Sequence, residues 1–149
     1  MAGKRKKFFE TKYVTNSVIV GRESSLIRRN FPFLETKLQN GILYCYGEYQ
    51  PTEYSVTYKY RIKYNGFRSP SVTVLDPFIE YNDDIHMYPQ NRSLCLYHKT
   101  DLVWDTQKHH IHELIVPWTH EWFIFYELYL LSGKWEHPFV AHNKNEKHE

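Results

Sequence analysis

The sequence is short of several things, and each shortage excludes a class of protein. It has no apolar run approaching the roughly 20 residues needed to span a bilayer. The N-terminus begins basic, but Phe8–Phe9 is followed by Glu10 and Lys12, so no apolar signal region develops. Only two cysteines occur in 149 residues, too few for a disulfide framework. The formal net charge is +2, with basic and acidic residues interspersed. A nucleic-acid binder draws most of its affinity from neutralising phosphates and needs a basic stripe to do so. Here the single basic run, Lys4–Arg5–Lys6–Lys7, stands at the extreme N-terminus and reads as a solvated tail. No Gly-, Ser- and Pro-rich linker divides the chain, no internal repeat is visible, and no Gly-rich phosphate loop appears. These shortages predict a cytoplasmic protein of one domain over residues 1–149, with frayed ends at about 1–10 and 140–149. They also predict no direct nucleic-acid or membrane contact.

What the chain has in excess is aromatic surface: 17% of its residues, including 13 Tyr and 4 Trp. Flat rings cover strands and helices well, and this much burial potential excludes a disordered chain. Leu26 and Ile27, with Ser24 or Ser25 as a cap, predict a short helix over Glu23–Asn30, ended by Phe31–Pro32–Phe33. From Gly41 the texture changes to strands, Gly41–Tyr49 and then Ser55–Tyr64. In the second, Tyr58, Tyr60, Ile62 and Tyr64 alternate with Lys59, Arg61 and Lys63, the period of a half-buried antiparallel strand. Asn65–Gly66 supplies a turn and Val72–Leu75 a further strand, so a meander of three or four strands is expected.

The stretch from Asp76 to Asp105 has weak periodicity, and an irregular segment of that length inside a compact domain marks a functional loop. Beyond it, a helix is expected over Asp105–Val116. A second runs from Pro117 to about Ser132, with Gly133 as its stop. Its Trp118, Trp122, Phe125 and Tyr129 form one stripe, read as core packing. The order of helix, antiparallel meander, long loop and helices is that of an α+β domain.

The chemistry is expected in the loop, at His86–Met87–Tyr88–Pro89–Gln90–Asn91–Arg92–Ser93–Leu94–Cys95–Leu96. Two leucines flanking a cysteine can anchor the backbone in the core while the loop leaves the thiol at the surface. A nucleophilic thiol must be reachable and partly ionised. Cys45, by contrast, lies within the strand Ile42–Tyr46 and reads as core.

His86, Tyr88, Leu94–Cys95–Leu96 and Trp104, after the strand Pro70–Val74, resemble the active-site stretch of ubiquitin-conjugating enzymes. The helix–meander–loop–helix order agrees with that fold. The tail resembles one bacterial branch more closely, through Ile115–Val116–Pro117–Trp118–Thr119–His120–Glu121–Trp122, Phe125–Tyr126–Glu127, Ser132–Gly133–Lys134–Trp135 and His142. That branch comprises the ubiquitin-conjugating-like proteins of type II CBASS anti-phage operons, here in the short, stand-alone form. The resemblance implies a UBC-like fold and a catalytic Cys95 that forms a thioester with the C-terminal tail of a cGAS-like nucleotidyltransferase. It also implies transfer of that acyl group to a lysine-bearing target. No cofactor or metal is implied.

The His-Pro-Asn triplet of the eukaryotic members is absent, since Met87 and Tyr88 follow His86. Its role in supporting the loop or the oxyanion would pass to His86 or Asn91. Two alternatives share the fold: a non-catalytic module that grips a tail, and a cysteine hydrolase with His86 or another histidine as base. His109, His110 and His112 invite a zinc reading, but without further ligands they are expected to be solvated or to cap a helix.

Overall fold

The computed structural model describes the backbone of residues 2–136 and the side chains of residues 16–136. A long helix, α1 (Ala2–Asn30), leads into four strands: β1 (Glu35–Gln39), β2 (Ile42–Tyr49), β3 (Tyr58–Tyr64) and β4 (Ser71–Asp76). After the loop, a π-helical turn at Ile111–Ile115 runs directly into α2 (Val116–Ser132). The strands form one antiparallel sheet in the order β1-β2-β3-β4. The architecture is α+β, as expected. The expected fraying at 140–149 lies outside the described residues.

The tyrosine alternation in β3 does what its period requires. Tyr58, Tyr60, Ile62 and Tyr64 are buried, and Lys59 and Lys63 are exposed. The buried face packs on α2 through Phe123, whose ring stacks on Tyr58 with centroids 4.4 Å apart. Between β3 and β4, Asn65 Oδ1 accepts the amides of Phe67 and Arg68, both at 2.8 Å, and Gly66 takes a φ of 78°. That conformation favours glycine because it brings no Cβ.

Three sequence expectations need correction. The first helix is far longer than Glu23–Asn30, so Ser24 is a buried residue within α1 and not a cap. Its end was read correctly: the helix stops at Asn30, and the Phe31 amide closes it onto Ile27 O at 2.7 Å. An additional strand, β1, pairs with β2 where only the meander from Gly41 was expected.

Asp105–Val116, finally, is not one helix. Asp105 Oδ1 accepts the amides of Gln107 and Lys108, and the Asp105 amide donates to His109 Nδ1 at 2.8 Å. These local bonds hold a turn in place of a first helical turn. The helical segment then starts at Ile111, whose buried amide donates to Glu23 Oε1 of α1 at 2.9 Å.

Glu23 is fully buried and joins two ends of the fold. Its Oε2 accepts from Arg22 Nε at 3.0 Å and lies 2.8 Å from His110 Nδ1. A carboxylate before the first amide of a helical segment also faces the positive end of its dipole. The histidines read as solvated or capping are therefore structural hydrogen-bonding groups here, His109 in the turn and His110 on Glu23.

His120 of α2 stacks flat on Tyr49, with centroids 4.1 Å apart, and its Nε2 shares a hydrogen bond with Tyr60 Oη at 2.8 Å. Burial pushes this imidazole down to about 4. The unfolded chain then takes up a proton near pH 6.5 that the folded chain refuses until about pH 4, so stability is lost as pH falls through that window. The urea midpoint is expected to be lower at pH 5 than at pH 7. In His120→Gln, which keeps polar atoms but does not titrate, most of that difference should vanish. An unchanged difference would assign the pH sensitivity to other groups.

Candidate active site

The loop between β4 and the π-helical turn folds back on the sheet edge. Leu94 N donates to Val72 O at 2.8 Å, and Ser93 bridges Thr73 in antiparallel fashion. The same segment pairs with its own upstream arm. Met87 and Leu94 form an antiparallel bridge, flanked by Tyr88 N to Ser93 O and Cys95 N to His86 O, both 2.9 Å. Residues 86–95 are thus a small hairpin. Met87 and Leu94 face the core and are buried, as alternation requires. By the same alternation His86, Tyr88, Ser93 and Cys95 share the opposite face, with His86 across from Cys95 and Tyr88 diagonal to it.

The turn of this hairpin is held by side chains as well as backbone. Asn91 Oδ1 accepts the Ser93 amide at 3.0 Å and its hydroxyl at 2.7 Å. Arg92 takes a left-handed φ of 56°, an unfavourable conformation for a residue with a Cβ. Its guanidinium lies 4.2 Å from the centroid of the Phe78 ring and donates to Ile79 O at 3.3 Å. Those contacts offset part of the backbone cost.

Helix α2 locks the other end. Trp122, buried, donates its indole Nε1–H to His86 O at 2.7 Å, the oxygen that also accepts the Cys95 amide. One carbonyl therefore joins the cysteine, the hairpin and the helix. Gly133, at φ 76°, ends α2 as its composition predicts, and its amide returns to Tyr129 O at 2.7 Å. The chain then turns so that Trp135 packs on Trp122, with centroids 5.2 Å apart, and on the His86 ring, 5.1 Å away. Trp104 lies elsewhere: its Nε1–H donates to Tyr64 Oη at 3.1 Å.

The Cys95 sulfur sits among tyrosines. It donates to Tyr97 O at 3.5 Å, and Tyr88 stands diagonal to it across the hairpin. Burial pushes the thiol up; the Tyr88 hydroxyl and the Tyr97 backbone each pull it part of the way back. Tyr88 is itself raised, first by burial and then by its bond to Cys95, so it stays protonated and able to donate. Tyr97 packs against Trp118 of α2, with centroids 5.6 Å apart.

The expectation of a surface thiol is corrected by this arrangement. Cys95 is only 5% exposed, because its own hairpin brings Tyr88 over it. Tyr88, at 39%, is the exposed group of the pair. Cys45 is fully buried and its thiol is pushed up to about 12, chiefly by burial, with the Glu23 charge adding to it.

Of the three residues singled out from sequence, the hairpin brings Cys95 and His86 together, while Asn91 serves the turn. Sequence reasoning missed the parts played by Tyr88, Tyr97, Trp122 and Trp135. Tyr88 stood in the motif without a role, and Trp122 stood in the core stripe; neither the hydroxyl's target nor the indole's is visible in a linear pattern. Among the described residues, no group of three or more His, Cys, Asp or Glu stands close enough to hold a metal ion. Among the same residues, no helix is long and apolar enough to cross a membrane.

A family model described as Type II CBASS E2 protein matches residues 23–143, most of the chain and all of the hairpin. No curated protein matches it.

Proposed function

Because the chain belongs to the family of type II CBASS E2 proteins, E2-like conjugating proteins of anti-phage defence, we propose that it is a cysteine-dependent acyl transferase of UBC-like fold acting through Cys95. The observation that carries this reading is the hairpin. A single cysteine, on a β-arm anchored to the sheet edge and to α2, shares its face of the hairpin with His86 and with a phenol, Tyr88, that remains protonated.

The reaction is a double acyl exchange. Cys95 sulfur, as thiolate, attacks an activated C-terminal carbonyl on the tail of a cGAS-like nucleotidyltransferase. A C–S bond forms and the activating group leaves. A lysine amine on a target protein then attacks the thioester carbon, a C–N bond forms, the C–S bond breaks, and the amine's proton leaves as the thiolate is regenerated. The protein's own contribution is positioning and stabilisation of the charge that develops on oxygen and sulfur. His86 supports the cysteine through its carbonyl and a ring fixed against Trp135, and Asn91 supports the loop.

Burial of the thiol favours a second reading, a non-catalytic module that grips the tail and keeps Cys95 for packing. Co-expression of the cognate nucleotidyltransferase with wild type, Cys95→Ala or Cys95→Ser separates the two. A thiol-sensitive adduct is expected for wild type, none for Cys95→Ala, and a reductant-resistant ester for Cys95→Ser, on gels run with and without reductant. Equal binding of the partner by all three, with no adduct from any, would leave the binding module as the correct reading. A wild-type adduct that passes to water and never to an amine would point to the hydrolase.

A further inference from the structure

The proposed transferase needs a hydrogen-bond donor where negative charge develops, and the His-Pro-Asn amide of eukaryotic ubiquitin-conjugating enzymes is absent from the sequence. Asn91 serves the turn, where its side-chain oxygen accepts the amide and the hydroxyl of Ser93. The hairpin supplies another candidate. Tyr88 and Cys95 lie diagonally across the arm on one face, a separation that a long aromatic side chain bridges. The backbone of Tyr88 is fixed at both its polar groups, by Tyr88 N to Ser93 O and Arg92 N to Tyr88 O, each 2.9 Å. The side chain therefore extends from a braced backbone on the face that carries Cys95, which is what a preorganised donor requires.

We propose that Tyr88 is a catalytic residue whose hydroxyl donates to the Cys95 thiolate, both as nucleophile and as leaving group. This rests on the reading of Cys95 as an acyl carrier. In the resting protein the phenol extends from the hairpin face that carries the sulfur. Once the sulfur is acylated it accepts hydrogen bonds poorly, and the thioester oxygen, two bonds away, becomes the better acceptor for the same O–H. When the amine attacks, charge builds on that oxygen. It passes to sulfur as the C–S bond breaks, and the donor can follow it without leaving the site. No proton is transferred from Tyr88 in either step. The phenol lies 39% exposed at the mouth of the site, where an incoming tail would meet it first.

Tyr88→Phe keeps the ring and removes only the donor. Two measurements test it, and only one needs a partner. In the first, the pH profile of Cys95 alkylation by iodoacetamide is followed by mass spectrometry. The midpoint should move up by about 1–2 pH units in Tyr88→Phe, the size expected for loss of one hydrogen bond to a charged group. Mere loosening of the hairpin would relieve burial and move it down, so the sign separates a donor from a structural prop. In the second, preformed thioester is chased with free lysine, and discharge should slow by roughly 10²-fold. An unmoved or lowered midpoint overturns the proposal, as does wild-type discharge from loaded Tyr88→Phe. A wild type that never loads refutes the transferase reading instead, and the alkylation profile still decides whether Tyr88 donates to the thiolate.

Discussion

Glu23→Ala is expected to lower the stability of the fold by about 3 kcal/mol, the low end for removing one partner of a buried charge cluster. The substitution removes the acceptor of the buried Ile111 amide and the partner of Arg22 and His110 in one change. Arg22 and His110 are partly exposed and can turn to water. The Ile111 amide cannot, because Ile111 is fully buried at the start of a helical segment, and an orphaned donor there loses its full solvation. Glu23→Gln retains one acceptor oxygen for that amide and should recover about half of the loss. Urea titration of the three proteins measures this. A Glu23→Ala protein as stable as wild type would mean that water reaches the Ile111 amide. It would also mean that α1 and the helical segment are not joined through this carboxylate. Since that segment continues into α2, and α2 holds the His86 carbonyl, the effect should also reach the adduct yield in the co-expression trap.

The second large effect is expected at Trp122. Trp122→Ala should cost about 3–5 kcal/mol, as large-to-small changes of buried aromatics do, and should leave the His86 carbonyl with one donor in place of two. The ring fills space against Phe123, Tyr126 and Trp135, at centroid distances of 5.8, 5.2 and 5.2 Å, so little can collapse into the vacated volume without shifting the hairpin. Trp122→Phe separates the two contributions. It keeps most of the packing and removes the indole N–H, and should cost about 1–2 kcal/mol. If the indole bond to His86 positions Cys95, Trp122→Phe should reduce adduct yield in the co-expression trap more than a stability loss of that size explains. An adduct yield unchanged from wild type would show that the Cys95–His86 backbone bond suffices alone.

The two cysteines illustrate how unequal a local reading can be. Cys45 was legible as core because it sits in an alternating strand, and its thiol is indeed buried and raised. Cys95 was legible as the chemical residue only through its flanking motif, and its setting was read too simply. A linear pattern says that leucines flank a thiol; it does not say that a tyrosine, Tyr88, stands diagonal to it on the opposite arm of a hairpin. The long segment read as irregular from its weak periodicity does lack long regular elements. Its internal hairpin was not legible, because a two-strand arm of this size has almost no periodic signature and is held by a sheet edge and a helix distant in sequence.

By itself the sequence determined what short-range physics controls. The β3 alternation, the Asn65–Gly66 turn, the stop of α1 before Phe31–Pro32, and the end of α2 at Gly133 each follow from one or two residues and their backbone preferences. Tertiary structure decided the rest. It fixed the start of the helical segment at Ile111, because Glu23 of α1 accepts the buried Ile111 amide there. It added β1 to the sheet, because an exposed strand is specified by its neighbour's unpaired edge more than by its own alternation. It also fixed the surroundings of Cys95, because its sulfur meets the Tyr97 carbonyl, and the His86 carbonyl takes both its amide and the Trp122 indole, only when the hairpin, the sheet edge and α2 are packed together.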